Sequence, residues 1–200
     1  GWSVRHAVSA SSSSRIVFFG DSLTAGYGLQ RSQAFPALIY KKIVGEGLRF
    51  EVLNAGKSGE TTAGGLRRIV SYLDQPVAVL ALELGVNDSF RGVSTETIHR
   101  NLQEIIDLTQ DRWPKVKILI LGMEAAFPPT DEYARRFREI FPRLAHVNGA
   151  ALVPFLLEGV AGRPSLNLAD GLHPNSAGQK IISDQIWPIL REILHQSDGN

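Results

Sequence analysis

From Arg15 onward, short runs of bulky apolar residues alternate with longer stretches in which apolar positions recur every three or four residues. The runs RIVFFG (15–20), LRFEVLNA (48–55), VAVLALELG (77–85), VKILILGM (116–123) and ALVPFL (151–156) predict strands. Three of them are near-continuous Val, Ile, Leu and Ala, the pattern of parallel strands covered on both faces. Between them, FPALIYKKIVGEG (35–47), TAGGLRRIVSYLD (62–74), STETIHRNLQEIIDLTQDRW (94–113) and DEYARRFREIFPRLAHV (131–147) have helical period, with Ser94 as the N-cap of the third. A last helix is expected after Pro174, through Leu194.

Regular strand–helix alternation predicts an α/β fold of three layers, α/β/α, with a parallel sheet joined by right-handed crossovers. Five strands favour the flavodoxin-like order 2-1-3-4-5. Ligands of such open sheets bind outside the carboxyl ends of the strands. The segments that matter are therefore GDSLT, NAGKSGETT, GVNDSFRG, MEAAFPPT and the stretch from Leu157 to His173. There is no internal repeat and no domain boundary, so residues 15–195 read as one domain.

Composition narrows the function. The 200 residues carry 21 Lys and Arg against 20 Asp and Glu, a net charge of +1, with no run of like charge. Neither nucleic acid nor an anionic membrane is an expected partner. No apolar run reaches the roughly 20 residues of a membrane-spanning helix, so stable membrane insertion is not expected. Cysteine is absent, which excludes disulfides, thiolate metal sites and cysteine nucleophiles. A neutral or amphipathic small molecule is the expected partner, and the composition does not fix an oligomeric state.

The chain starts at Gly1, and Met123 is its only methionine. Residues 1–14, GWSVRHAVSASSSS, are serine-rich and without apolar period. They read as a linker or a processed N-terminal remnant, consistent with a periplasmic or secreted protein without excluding the cytoplasm.

Four strand ends carry complementary chemistry. Ser22 follows the first strand, Gly59 the second and Asn87 the third, while Asp170 and His173 precede the last helix. A serine hydroxyl is a weak nucleophile until a base removes its proton, and histidine titrates near neutral pH. An aspartate three residues upstream is near enough to orient the imidazole. The backbone N–H groups of Ser22 and Gly59 and the Asn87 side-chain amide are candidate donors to a developing oxyanion. Small neighbours leave Ser22 open at the strand edge.

These blocks, GDSL at 20–23, Gly59 in NAGKSGETT, GVND at 85–88 and DGLHP at 170–174, resemble the SGNH (GDSL) hydrolases over about residues 15–193. NAGKSGETTAGGL, LELGVNDSFRG and LADGLHPN are most similar to the bacterial branch of multifunctional thioesterase, protease and lysophospholipase-like esterases. The resemblance implies a Ser22 nucleophile, Ser22, Gly59 and Asn87 as the oxyanion hole, His173 as base and Asp170 as its orienting acid, with no cofactor. Val86 departs from the glycine common in that branch and implies a stiffer turn before Asn87.

Simpler readings stand beside these. Ser22 in isolation equally fits a strand-end turn in which Asp21 and Ser22 cap backbone groups. Asp170 and His173 fall one ligand short of a catalytic zinc site, so no metal is expected. Gly26 and Gly28 lack the spacing of a phosphate loop. His6, His99, His146 and His195 read as structural, and RRFRE (135–139) as a solvated helix face. Glu83, inside a buried strand, requires backbone donors or an arginine, because an unpartnered buried carboxylate is costly.

Two classes of function remain. One is a serine esterase acting through an acyl-serine on carboxylic esters, and on thioesters as an extension, with short to medium acyl chains. Lysophospholipase, acyl-CoA thioesterase and carbohydrate acetylesterase are variants of it. The other is a non-catalytic binding module at the same sheet end. After the fourth strand, Met123, Ala125, Ala126, Phe127 and Pro128 form an expected apolar wall that suits an acyl chain better than a sugar. Phe90 is the expected mobile lip opposite it.

Overall fold

The computed structural model describes residues 14–197. The reading of residues 1–14 as a linker or processed remnant therefore falls almost wholly outside the described residues. Five parallel strands, β1 (Arg15–Gly20), β2 (Glu51–Gly56), β3 (Val77–Glu83), β4 (Lys117–Leu121) and β5 (Ala151–Val153), form one sheet in the order β2-β1-β3-β4-β5. β1 is an interior strand: Gly20 pairs with Gly56 on one side and Glu83 on the other, so three strands end level at the carboxyl end of the sheet.

Among the described residues seven α-helices follow in chain order: α1 (Ser22–Ala25), α2 (Phe35–Gly45), α3 (Thr62–Arg68), α4 (Val86–Phe90), α5 (Thr95–Arg112), α6 (Asp131–Asn148) and α7 (Ser176–Ser197). α2 leads from β1 to the β2 edge, whereas α3, α5 and α6 lead back across to the other. With right-handed crossovers this reversal puts α2 on one face and the other three on the opposite face. The contacts agree, since α2 packs on α7, α3 on α5 and α5 on α6. Ile16 to Phe19 and Val79 to Leu82 are buried between these layers, which is why their sequences are apolar without alternation.

The observed elements differ from the sequence expectation mainly at their ends. β5 stops at Val153 rather than 156, because Pro154 has no N–H for the ladder; Leu156 N–H instead returns to the Gly122 carbonyl. The helix expected over 62–74 is α3 followed by a 3₁₀ turn, Ile69–Tyr72. The final helix begins at Ser176 rather than directly on Pro174 and continues to Ser197. Two short helices, α1 and α4, occupy segments expected to be loops, and each carries a candidate site residue in its first turn. No helix among the described residues is long and apolar enough to cross a membrane.

Candidate active site

Ser22 is the first residue of α1, directly beyond β1. Asp21 caps that turn, its Oδ1 accepting the Leu23 N–H at 3.0 Å, and Gly26 closes it at φ 76°. The strand thus ends in a single helical turn that presents the serine at the sheet edge. Ser22 is nearly buried, and its Oγ lies 3.1 Å from His173 Nε2.

His173 arrives from the other end of the chain. An isolated antiparallel bridge between Asn167 and Pro174, with Leu168 N–H donating to the His173 carbonyl at 2.7 Å, fixes its backbone. Asn175 then caps α7 by accepting from Gly178 N–H at 3.0 Å. On the far side of the ring, Nδ1 lies 2.5 Å from Asp170 Oδ2. Asp170 Oδ1 accepts the backbone N–H groups of Leu172 and His173 at 2.9 and 3.0 Å. Hydrogen bonds from the backbone and ring of His173 and from Leu172 lower this carboxyl from 3.8 to about 2. Tyr27, which the sequence reading left without a role, packs its ring 4.4 Å from that of His173.

The candidate oxyanion donors come from three strand ends. Ser22 N–H stands at a helix start, where amides have no intrahelical acceptor. Gly59 is exposed with φ 78°, a backbone that glycine adopts without strain, and its N–H meets no acceptor among the described residues. Asn87, in the first turn of α4, donates from Nδ2 to Glu60 O at 3.0 Å and to Asp21 Oδ2 at 3.3 Å. Its amide is thereby tied beside both Gly59 and Ser22.

Two supports were not read from the sequence, and a third, Glu83, was expected to be held by backbone donors or an arginine. Asp88 accepts from Thr62 N–H and Oγ1, both at 2.8 Å, and clasps α4 to α3. Arg68 donates to the carbonyls of Gly20 and Ala55, pairs with the nearly buried Glu60 at 2.7 Å and lies over the Phe19 ring. Glu83 is fully buried, and among the described residues its donors are backbone amides and a threonine rather than an arginine. Oε1 accepts from Asp21 N–H, Thr24 N–H and Thr24 Oγ1 at 3.3, 3.2 and 2.8 Å.

Beside Ser22 and His173 lies a cavity of about 300 Å³ lined by Leu23, Val86, Phe90, Met123, Ala125, Ala126, Phe155, Leu157 and Leu172. Phe90 and Met123 thus line it as expected, but Phe127 and Pro128 do not. The chain takes a left-handed turn at Phe127 (φ 48°) and lays the exposed ring against Phe90, 5.8 Å between centroids, outside the cavity. Phe155 and Leu157 take the wall's place, from a segment the sequence reading gave partly to β5. A larger groove of about 500 Å³ runs along β2 between Arg15, Arg31 and Asn54. Neither Ser22 nor His173 lines it. Among the described residues no group of acidic or histidine side chains could hold a metal ion.

The serine, histidine and aspartate chain, the donors around Ser22 and an apolar cavity suit acyl transfer, and comparison with known proteins points the same way. The model of the GDSL-like lipase/acylhydrolase family matches residues 18–181. Esterase TesA of Pseudomonas aeruginosa is 36% identical over 182 residues, 90% of this chain and 89% of that protein. Thioesterase 1/protease 1/lysophospholipase L1 of Escherichia coli is 33% identical over 192 residues, covering 93% and 88%. The crystal structure of the psychrotrophic esterase EstA from Pseudoalteromonas sp., inhibited by monoethylphosphonate, is 28% identical. It superposes with a TM-score of 0.84 over 90% of this chain and 98% of its own. The chain belongs to the GDSL-like lipase/acylhydrolase family, the SGNH hydrolases, and is a carboxylic ester hydrolase.

Proposed function

We propose that the protein hydrolyses esters of short to medium acyl chains through an acyl enzyme on Ser22. The observation that carries this is the hydrogen-bonded chain from Ser22 Oγ through His173 to Asp170. Asp170, held anionic, accepts from Nδ1–H and leaves Nε2 unprotonated toward the serine. As Ser22 Oγ bonds to the ester carbonyl carbon, its proton moves to Nε2. Negative charge then develops on the carbonyl oxygen, where Ser22 N–H, Gly59 N–H and Asn87 Nδ2 act as donors. Collapse breaks the bond to the leaving group, which takes the proton from His173. Water, deprotonated by the same nitrogen, repeats the sequence on the acyl-serine and releases the acid.

A cavity of about 300 Å³ is at the small end for ligand sites, which supports short to medium acyl groups. Its aliphatic and aromatic side chains give roughly 0.8 kcal/mol per buried CH₂ of an acyl chain. Thioesters and lysophospholipids form a second reading, favoured by the activities that name the Escherichia coli relative.

A fluorophosphonate probe followed by peptide mass spectrometry is the direct test. Ser22 should carry the label, Ser22→Ala should abolish both labelling and hydrolysis, and a p-nitrophenyl ester series should peak below long acyl chains. A protein that takes no label and turns over no ester would be a binding module.

A further inference from the structure

Beneath Ser22 lie two buried carboxyls that the proposed chemistry leaves unused. Asp21 and Glu83 are both fully buried. Gly20 makes room for them: a Cβ there would stand 2.2 Å from Thr24 Oγ1 and 2.7 Å from Glu83 Oε1. We infer that Asp21, backed by Glu83, is a positioning residue that holds the Asn87 side-chain amide with its nitrogen end toward the oxyanion site. This rests on the reading of Asn87 as an oxyanion donor.

The argument starts from the hydrogen-bond roles of each oxygen. Asp21 Oδ1 accepts from Leu23 N–H at 3.0 Å and Oδ2 from Asn87 Nδ2 at 3.3 Å. The same nitrogen donates to the Glu60 carbonyl at 3.0 Å. Both neighbours of the amide are acceptors, so a flipped Asn87 would set its oxygen against two oxygens and lose two bonds. The contact to Asp21 is the longer one. Its hydrogen is the one available to turn toward an oxyanion while Glu60 keeps the nitrogen in place.

Glu83 keeps Asp21 in the accepting role. Three donors converge on Glu83 Oε1, while the buried Oε2 meets no donor nitrogen or hydroxyl. The Asp21 N–H donates to Glu83 Oε1, so the two buried carboxyls are held side by side. Burial and the Asp21 charge raise Glu83 well above the ordinary carboxyl range, which favours its neutral form. In that form Glu83 carries no charge beside Asp21, which stays the acceptor for Asn87.

Isosteric variants test this in a double-mutant cycle on p-nitrophenyl acetate. Asn87→Ala should lower kcat by about 100- to 1,000-fold. Asp21→Asn offers one acceptor oxygen where two are needed, so its amide must face either Leu23 N–H or Asn87 Nδ2. It should lower kcat by about 10- to 100-fold, the scale seen when the partner that orients a metal ligand is lost, and change KM less than about twofold.

In the Asn87→Ala background the clash has no partner, and Asp21→Asn should cost less than about threefold. Glu83→Gln, which keeps both the acceptor and the donor, should retain kcat within about threefold. An equal loss from Asp21→Asn in both backgrounds would make Asp21 a cap of the serine turn only and overturn the proposal. Full kcat in Asp21→Asn overturns it too, and damage from Glu83→Gln equal to that from Asp21→Asn overturns the role of Glu83. If Asn87→Ala itself retained full kcat, the oxyanion reading would fall, and this inference with it.

Discussion

Asp21 and Asp170 flank the same Ser22–His173 hydrogen bond and are shifted in opposite directions. Each accepts a backbone N–H from the residue two positions on. Asp21 is fully buried, and the loss of water raises its carboxyl from 3.8 to about 6 despite those bonds. Asp170 keeps its hydration, and the bonds from His173 and Leu172 lower it to about 2. Similar local hydrogen bonding gives opposite charge tendencies, and solvent decides between them. The Ser22 side is a buried framework defined by long-range contacts, whereas the His173 side is a surface loop that carries Asp170 three residues away.

The largest way to break this comparison is on the exposed side. Asp170→Asn presents an amide to Nδ1 and favours the tautomer in which Nε2 carries the proton, so Ser22 loses its base. A drop in kcat of about 10⁴-fold is expected, with the fold intact because the side chain is partly exposed. A fall of less than tenfold near neutral pH would show that another group orients His173.

The corresponding break on the buried side is steric. Gly20→Ala drives a methyl into Thr24 and both the carbonyl and carboxyl of Glu83, with no flexible surface side chain to give way. Overpacking of this kind costs about 1–3 kcal/mol, read as a lower urea midpoint at unchanged m. Activity should fall along with stability, since the residues displaced hold the Ser22 turn. An unchanged midpoint would mean that the Asp21–Glu83 framework yields easily.

Smaller effects follow from the two shifts themselves. The folded-state pKa of Asp21 is raised, so its contribution to stability is full below about pH 4 and is lost as pH rises toward about 6. Asp170 is lowered, so its contribution is present above about pH 4 and is lost as pH falls toward about 2. Urea midpoints across pH should therefore fall away on both sides of a maximum near pH 4 in so far as these two groups decide it. Asp21→Asn should flatten the alkaline limb and Asp170→Asn the acid one. The reverse pairing of variant and limb would contradict the assignment.

The same division explains what could be read from the sequence. Strand runs were legible because β1 and β3 are covered on both faces, and the groups of GDSL, GVND and DGLHP because each block is local. Asp170 reaches His173 within one turn of chain. The buried framework was not legible: Glu83 needed Thr24, 59 residues away, and Arg68 reaches Gly20, 48 residues back. α1 and α4, of four and five residues, are too short to show a helical period. Phe127 was placed in the acyl wall because it is apolar and follows β4, and only its left-handed backbone turns it outward.

That outward turn gives the smallest effect, and it sharpens the comparison at the cavity rim. Phe127 holds φ 48°, a conformation that disfavours a side chain by roughly 1 kcal/mol and that glycine adopts freely. Against this stands its contact with Phe90, worth about 0.5–1.5 kcal/mol for an aromatic pair and less when the ring is this exposed. Phe127→Gly should therefore leave stability within about 0.5 kcal/mol of wild type. Acetate esters, which need only the cavity between Met123 and Leu157, should be hydrolysed at the normal rate. Only acyl chains long enough to leave the cavity past Phe90 can reach Phe127, so any loss in kcat/KM should appear at the long end of the ester series. Met123→Ala should instead lower kcat/KM for chains that fill the cavity. A loss with Phe127→Gly that is already full for butyrate would place that ring against the acyl group during turnover, with the Phe90 contact broken.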